Sequence, residues 1–234
     1  MTLAGQAAVA IWHDIAPEGR AEFYDWHGTE HMPERVGIPG FLRGRRYIAR
    51  DADLEYFNLY EVETTAVVTG PDYRARLNAP TPWTVSTVRH FRNVARSLCH
   101  VAASAGAGQG GLIATCRYDV PESVADVHVA AMRSTVLPDL ARHGAVAGAH
   151  LLVADDAASS EGNAESKARG VANAVPRWIV LVEGWGDEDV FAALCRETLA
   201  DDRLAALGAE GPGRIGLYVL QATIDRGDLD AGNR

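Results

Sequence analysis

An order of predicted elements that occurs twice is the feature that most constrains this chain. Hydrophobic periodicity predicts strand, helix, strand, strand, helix and strand across residues 7–102, and the same order again across residues 112–224. This order is the split βαβ pattern. One such unit leaves a face of its four-stranded sheet uncovered, so two units in one chain can bury both faces against each other.

The individual elements are predicted from apolar periodicity and from the Gly, Pro, Asn and Asp residues between them. In the first half we predict strands at 7–15, 40–50, 55–64 and 94–102, and helices at 17–31 and 71–91, the second interrupted at 78–82. In the second half we predict strands at 112–120, 148–154, 177–185 and 214–224, and helices at 123–143 and 187–207.

Residue matches between the halves support a tandem duplication with a repeat of roughly 105 residues. The matched pairs are Asp14 with Asp119, Pro17 and Glu18 with Pro121 and Glu122, Pro33 with Pro138, and Glu61 with Glu183. Any single match could arise by chance. Together with the repeated element order they predict two homologous units within one chain.

The predicted fold class is therefore α+β, with two split βαβ units whose antiparallel sheets pack face to face as a pseudo-dimeric α+β barrel. We assign residues 1–105 to a first unit with a polar pocket, 106–111 to a Gly-rich linker, and 112–226 to a second unit with a degenerate pocket. Residues 155–176 are small and polar, and we predict that they form a mobile loop inserted into the second unit.

Composition excludes several classes of function. A formal net charge of -9 argues against nucleic acid as a partner, because that binding depends on clustered Lys and Arg. Three widely spaced cysteines fit neither a disulfide framework nor a paired-cysteine zinc site. The sequence shows no secretory signal and no apolar stretch that could span a membrane, so we predict a cytoplasmic protein.

The densest polar cluster lies at the end of the first predicted helix, in residues 25–35. His27, Glu30 and His31 share one helical face. Pro33 cannot continue a regular helix, so we predict a kink or a stop near Met32. His31 would then lie at a helix C-terminus, where the helix dipole favours the imidazolium form.

Three interpretations of this cluster are open. The first is a metal site, because the spacing His-x-x-Glu-His matches an inverted zinc-protease motif. No third ligand is evident, however, and that motif is not used in a split βαβ fold. We therefore predict no metal and no cofactor. The histidines could also be structural residues paired with Glu30 and Glu34. The repeat favours a functional role, because the second half has Met132, Thr135, Val136 and Leu140 in place of His27, Glu30, His31 and Arg35.

Strand residues supply further candidates, because alternate side chains share one face of a sheet. Tyr56, Asn58 and Tyr60 form one such set, Arg43, Arg45 and Tyr47 another, and one of the two sets must face the helices. We predict His27, His31 and Tyr60 as catalytic residues. The predicted binding residues are Trp26, Glu30, Arg35, Tyr47, Tyr56, Asn58, Trp83 and His13.

Residues 26–47, WHGTEHMPERVGIPGFLRGRRY, resemble the dimeric α/β-barrel (ferredoxin-like) superfamily, and in particular its EthD-like and stress-responsive members. The resemblance covers about the first 100 residues. It implies a cleft between sheet and helices in which a helix His and strand Tyr residues act on a phenolic or keto substrate. His27 and His31 match the helix His, and Tyr56 or Tyr60 the strand donors. Such proteins catalyse many reactions, so the fold does not select one.

We therefore expect a cofactor-independent enzyme that acts on a small aromatic or keto compound, of cyclase, isomerase, lyase or oxygenase type. A His would be the general base, since its ordinary pKa lies near neutrality without unusual burial. The alternatives are a non-catalytic small-ligand binding protein and a haem- or metal-binding barrel. The expected partners are a small-molecule ligand and, as one form of assembly, a second copy of the fused chain.

Overall fold

The structure, a computed structural model, describes residues 3–170 and 173–232. Its centre is a closed barrel of antiparallel strands in the order β1-β3-β2-β8-β5-β7-β6-β4. The strands are β1 (Ala7–Ile15), β2 (Phe41–Asp51), β3 (Tyr56–Val62), β4 (Phe91–Gly106), β5 (Leu112–Asp119), β6 (Val146–Ala154), β7 (Trp178–Gly184) and β8 (Glu210–Asp225). The predicted α+β barrel is confirmed.

The two halves of the chain close the barrel through their longest strands. β4 of the first half pairs with β6, and β8 of the second half pairs with β2. β4 extends to Gly106, so the first residue of the predicted linker belongs to a strand and the connection to β5 is shorter than predicted. The barrel is thus a single hydrogen-bonded sheet rather than two separate sheets in contact.

Alternation along the strands decides which side chains face the barrel interior and which face the helices outside. Trp12, Phe57 and Leu59 belong to the interior apolar cluster, together with Tyr47. Tyr60 belongs instead to the cluster under the first helix. Of the two sets proposed from the sequence, the one containing Tyr60 therefore faces the helices.

The barrel interior also contains a buried ion-pair network at one end. Arg45 is 2 % exposed and contacts Glu61 Oε1 at 2.8 Å and Glu183 Oε2 at 2.7 Å. Both carboxylates are fully buried, and Arg43 also bonds Glu61 at 2.9 Å. Arg45 therefore links a carboxylate of its own half to the equivalent carboxylate of the other half. Burial of such charges is tolerated only when they are paired in this way.

Twelve short helices cover the outside of the described barrel. In the first half these are α1 (Arg20–Trp26), α2 (Met32–Val36), α3 (Thr65–Thr69), α4 (Pro71–Asn78) and α5 (Pro82–Thr87). In the second half they are α6 (Ala125–Ala131), α7 (Leu137–Ala141), α8 (Asp156–Ser160), α9 (Ala164–Arg169), α10 (Glu188–Thr198), α11 (Asp201–Ala206) and α12 (Arg226–Gly232). Among residues 3–170 and 173–232, no helix is long and apolar enough to cross a membrane.

Of the kink or stop predicted near Met32, the structure shows no stop but an irregular turn of the helix. α1 and α2 are joined by a π-helical turn, His27–His31, in which the Met32 N–H donates to the His27 carbonyl. The wider turn lies directly before Pro33, where a regular helix would lose a hydrogen bond and crowd a carbonyl. The chain therefore stays helical to Val36, and His31 lies inside the helix rather than at its C-terminus.

The predicted loop at 155–176 is also different in the structure. Its described residues include α8 and α9, and a capping box of Asn163 and Ser166 starts α9. Ser159 is buried and its hydroxyl accepts a hydrogen bond from the Leu98 N–H at 2.9 Å. Residues 171–172 of this segment lie outside the described residues. The described part of this segment is therefore helical in two stretches, because small polar residues here cap helices and bond to the first half.

Candidate functional site

A cavity lies between the first helix and the outer face of the first-half sheet, and the segment containing α9 covers it. It contains about 680 Å³ of atom-free space, part of which is open solvent. Its lining residues come from both halves of the chain. They are Ile11, Trp26, His27, His31, Arg35, Phe41, Asn58, Tyr60, Tyr73, Leu77, Val88, Phe91, Arg96, Asn163, Glu165, Ser166, Arg169 and Asn173.

His27 is held by hydrogen bonds on both ring nitrogens. Arg46 Nη1 lies 3.3 Å from Nδ1, and the Tyr60 hydroxyl lies 3.3 Å from Nε2. Burial, and next the nearby Arg46 guanidinium, hold the pKa of His27 well below its ordinary value, so the ring is neutral. A guanidinium can only donate, so Nδ1 accepts and the ring proton is on Nε2. His27 Nε2–H therefore donates to the Tyr60 oxygen.

Tyr60 is thereby left with a free hydroxyl hydrogen. Its oxygen accepts from His27, and the residue is 3 % exposed in the cavity wall. Burial raises the pKa of Tyr60 above its ordinary value, so the hydroxyl stays protonated. A protonated hydroxyl with a free hydrogen donates to a carbonyl or phenolate oxygen. Tyr60 is therefore suited to bind a substrate oxygen.

His31 differs from His27 in having no hydrogen-bond partner for its buried Nδ1 among the described residues. Its ring lies against Trp26 with centroids 4.2 Å apart, and 5.6 Å from the ring of His27. Burial, followed by the Arg35 guanidinium, holds the pKa of His31 well below its ordinary value. A buried ring nitrogen without a partner costs about 1–3 kcal/mol. A ligand in the cavity can supply the missing partner.

The expectation that a His keeps a pKa near neutrality without unusual burial is corrected here. His13, His27 and His31 are all buried, and burial lowers the pKa of His13 to about 3. The Asn58 amide lies 2.9 Å from His13 Nε2, and neither Asn58 Oδ1 nor His13 Nδ1 has a partner among the described residues. The neutral rings accept or donate hydrogen bonds, and a base in this site needs help from its ligand.

Several predicted binding residues lie elsewhere. Tyr47 is in the barrel interior because it faces the other side of the sheet from Tyr60. Glu30 accepts from the Thr81 hydroxyl at 2.6 Å and so fixes α5 to the first helix. Trp83 is 37 % exposed and does not line the cavity. Tyr56 is also not among the lining residues.

Tyr56 and His13 form a layer directly beneath the cavity. Their rings stack with centroids 5.3 Å apart, and the Tyr56 hydroxyl donates to the Tyr24 oxygen at 3.2 Å. His13 contacts two lining residues, Asn58 by a hydrogen bond and Phe91 with ring centroids 4.3 Å apart. The structure thus brings together Trp26, His27, His31, Arg35, Asn58 and Tyr60 of the predicted residues.

Several lining residues were missed by the sequence interpretation. Arg96 is on β4, and alternation along that strand with Leu98 could have identified its face. Glu165 and Arg169 belong to the segment read as a loop, and no periodicity signal joins them to the first half. Glu165 forms an ion pair with Arg35, and this contact holds the covering segment against α2. Residues far apart in sequence therefore complete the site.

A second cavity adjoins the first. It contains about 330 Å³ of atom-free space and shares Tyr73, Leu77, Arg96 and Asn163 with the first cavity. Its other walls include Val68, Leu98 and Ala158. This cavity has apolar walls on one side and polar residues, among them Arg74 and Glu161, on the other, and it continues the first cavity past Arg96.

The interpretation as a zinc motif finds no support in the geometry. Within residues 3–170 and 173–232, no group of three or more His, Cys, Asp or Glu side chains is arranged to hold a metal ion. His27 Nδ1 already accepts from Arg46. The His-x-x-Glu-His spelling arises instead from a π-helical turn whose Glu30 bonds to α5.

Comparison with known proteins shows the fold. No protein-family model matches the sequence, and no curated protein matches it. The chain is similar to an anthrone oxidase-like protein, with 12% identity, TM-score 0.63 and coverage of 97% of this chain and 96% of that one. A putative monooxygenase from Lactobacillus acidophilus matches with 9% identity, TM-score 0.56 and coverage of 94% and 97%.

A mutant chlorite dismutase from Candidatus Nitrospira defluvii is a further structural neighbour, with 8% identity, TM-score 0.52 and coverage of 97% of this chain and 94% of that one. All three likenesses extend over nearly the whole chain, so they include both halves of the barrel. The fold is that of the dimeric α/β-barrel type, with both ferredoxin-like units in one chain. At these identities the comparisons describe the fold alone.

Proposed function

We propose that this protein is an enzyme that removes a proton from a small aromatic or keto compound, with His31 as the base and Tyr60 as the donor to the substrate oxygen. The observation that supports the proposal is that one cavity contains both a hydrogen-bond acceptor and a hydrogen-bond donor that a substrate could use. His31 Nδ1 is buried without a partner among the described residues, and the Tyr60 hydroxyl hydrogen is not used by His27. Both residues line the same cavity.

The proposed step is an enolisation. An acidic C–H beside a carbonyl, or a phenol O–H, gives its proton to a nitrogen of His31, and the electron pair moves onto the substrate oxygen. The Tyr60 O–H donates to that oxygen as negative charge develops, and a donor placed in this way lowers the barrier most when water is excluded. His27 acts through Tyr60 as a positioning residue, because its Nε2–H fixes the direction of the Tyr60 hydroxyl.

An electron-rich enolate or phenolate can react further with O₂. The names of two structural neighbours, an anthrone oxidase-like protein and a putative monooxygenase, support this direction. Oxidation of a ring CH₂ to a carbonyl by O₂ releases one water, so atoms and electrons balance with O₂ as the only oxidant. No further residue of this chain has to donate or accept electrons in that reaction.

Anthrone is a suitable probe because its CH₂ protons are acidic and their removal places negative charge on the carbonyl oxygen by conjugation through the aromatic rings. We expect the wild-type protein to accelerate exchange of these protons with D₂O, measured by NMR without O₂, and to consume O₂ when it is admitted. His31→Gln should lower the exchange rate about 100-fold or more, and Tyr60→Phe should lower it about 100-fold. Val136→Ala, at the equivalent helical position of the second half, should leave the rate unchanged.

Two other results would replace the proposal with one of its alternatives. Wild-type protein that binds anthrone without accelerating exchange would be a ligand carrier. Purified protein with the visible absorption of a bound haem would be a haem protein. Equal exchange rates in the wild type and His31→Gln would overturn the role given to His31.

A further inference from the structure

Positive charge around the cavity exceeds the negative charge that the protein supplies there. Arg35 is paired with Glu34 and Glu165. Arg46, Arg96 and Arg169 form no ion pair with a carboxylate among the described residues; each bonds a neutral group. The buried histidines are neutral, so they add no charge of either sign.

Two of these cations, Arg96 and Arg169, line the cavity together. Arg96 is 7 % exposed, and its Nη2 donates to the Tyr73 hydroxyl at 2.9 Å. Arg169 Nη2 donates to Asn173 Oδ1 at 2.6 Å, whereas its buried Nε has no partner among the described residues. Burial lowers the pKa of Arg169, the Glu165 carboxylate opposes this, and the charge of Arg96 lowers that pKa further. The two guanidiniums therefore repel each other, and Glu165 offsets part of this repulsion.

An anion between these residues would remove both costs. It would accept from the unpartnered Arg169 Nε–H and screen the repulsion between the guanidiniums. Planar guanidinium groups bind carboxylates through paired N–H···O hydrogen bonds. The second half has no arginine at the position that corresponds to Arg96. The residue in the same strand register of that half is Ile215.

We propose that Arg96 and Arg169 form a binding site for a carboxylate of the substrate, so that the natural substrate is an aromatic or keto acid. The proposal rests on the function proposed above and specifies its substrate class. The carboxylate would lie on the side of the cavity formed by β4 and α9, with the reacting carbon toward His31 and Tyr60. Substrates without the acid group would then bind through the apolar walls alone.

The same carboxylate answers the question of how a buried His can act as a base. Burial, and next the Arg35 guanidinium, disfavour the imidazolium form of His31 in the free protein. A bound anion opposes the effect of Arg35, because a nearby negative charge favours the protonated ring. His31 therefore becomes a stronger base when the acidic substrate is in place, and it stays neutral when the cavity is empty.

The test compares binding of two probes that differ in one group, 1-hydroxy-2-naphthoate and 1-naphthol, by titration calorimetry at pH 7. We expect the wild-type protein to bind the naphthoate about 10- to 100-fold more tightly, as for a charge-assisted hydrogen bond. Arg169→Gln should remove most of this preference, so that the naphthoate binds about as tightly as 1-naphthol. Arg203→Gln, in the exposed Arg203–Glu197 pair, is the matched control and should keep the preference.

Inorganic phosphate and sulfate are the competing anions. Displacement of the naphthoate by millimolar phosphate or sulfate would show a general anion site and overturn the carboxylate assignment. Equal binding of the two naphthalene probes to wild-type protein would overturn it as well. Neither result affects the interpretation of the anthrone exchange assay, because anthrone has no carboxylate. Failure of that assay with a preserved naphthoate preference would instead remove the proposed function.

Discussion

The cleft between helix and sheet is polar in the first half of the chain and apolar in the second, although both are built from elements in the same order. The first-half residues are His27, Arg35, Arg46, Asn58, Tyr60 and Arg96. The residues in the corresponding positions are Met132, Leu140, Leu151, Val180, Val182 and Ile215. The second set packs as one apolar cluster, so this scaffold folds without a polar cleft. Retaining the costly polar set therefore points to a ligand.

The comparison of the two halves also shows which features of the π-helical turn belong to the scaffold and which belong to the site. Such turns are common at functional sites. Here the second half has one too, at Met132–Val136, where the Leu137 N–H donates to the Met132 carbonyl. Pro138 follows it as Pro33 follows the first. The turn is thus a shared way to carry a helix past a proline, and only the side chains on it differ in chemistry.

The largest effect is expected where the halves are joined. Arg45→Met would leave Glu183 and part of Glu61 buried without their cation, so we expect a loss of about 3–5 kcal/mol in unfolding free energy. Urea denaturation measures it. Arg50→Met in the exposed pair with Glu188 is the control and should cause no measurable change. Equal stability of both variants would show that the network does not hold the halves together.

A matched pair of truncations tests the two clefts directly. Met132→Ala opens a cavity in a close-packed cluster and should cost about 2–4 kcal/mol while leaving anthrone exchange intact. His27→Ala enlarges an existing polar cavity that water can fill, so we expect a cost of about 1 kcal/mol and a large loss of exchange. Urea denaturation measures the two losses of stability, and the anthrone assay measures the two exchange rates. The reverse order of stability losses would contradict the assignment of core and site.

Much of the fold could be predicted from the sequence, because strand alternation and the repeated element order depend only on local periodicity. β1, at Ala7–Ile15, has its predicted bounds. The helix end was missed because a π-helical turn has no sequence signal distinct from the proline that follows it. The helices of residues 155–170 were missed because their stability depends on caps such as Asn163 and on contacts with the first half.

The site could be predicted only in part, for a similar reason. The contrast between His27 and Met132 was visible in sequence and identified the polar half. Which strand face meets the helices was left open, so Tyr47 was assigned to the site and Arg46 was not. Arg96 and Arg169 are isolated in sequence, and only the closed barrel brings them together. The burial that lowers the histidine pKa values is likewise a property of tertiary packing.

The clefts should also differ in how they respond to acid. The buried His13, His27 and His31 of the first half take up a proton in the unfolded chain below about pH 6.5 but not in the folded one. Because the unfolded state then binds more protons, stability falls as the pH decreases from 6.5. His31→Gln should reduce this fall by about 1.4 kcal/mol per pH unit between pH 6 and 5. Tyr60→Phe is the control and should show the wild-type dependence of unfolding free energy on pH. If His31→Gln also shows the wild-type dependence, the His31 ring is protonated in the folded wild-type protein.

The smallest effect concerns the segment that belongs to the second half in sequence but covers the cleft of the first. Glu165 connects α9 to Arg35, which also pairs with Glu34. Glu165→Gln removes the cross-half ion pair and leaves Arg35 compensated by Glu34. We therefore expect the global stability to change little, and the amides of α9 to exchange with D₂O about 2- to 5-fold faster, as for a loss of 0.5–1 kcal/mol in a local opening equilibrium. Glu161→Gln, which breaks only the exposed pair with Arg74, should leave these rates unchanged, because an exposed pair contributes little. Bound 1-hydroxy-2-naphthoate should slow the exchange of α9 in the wild type, since the carboxylate would join Arg169 on this helix to Arg96 on the sheet. If the ligand protects the first helix but not α9, the covering segment does not take part in binding.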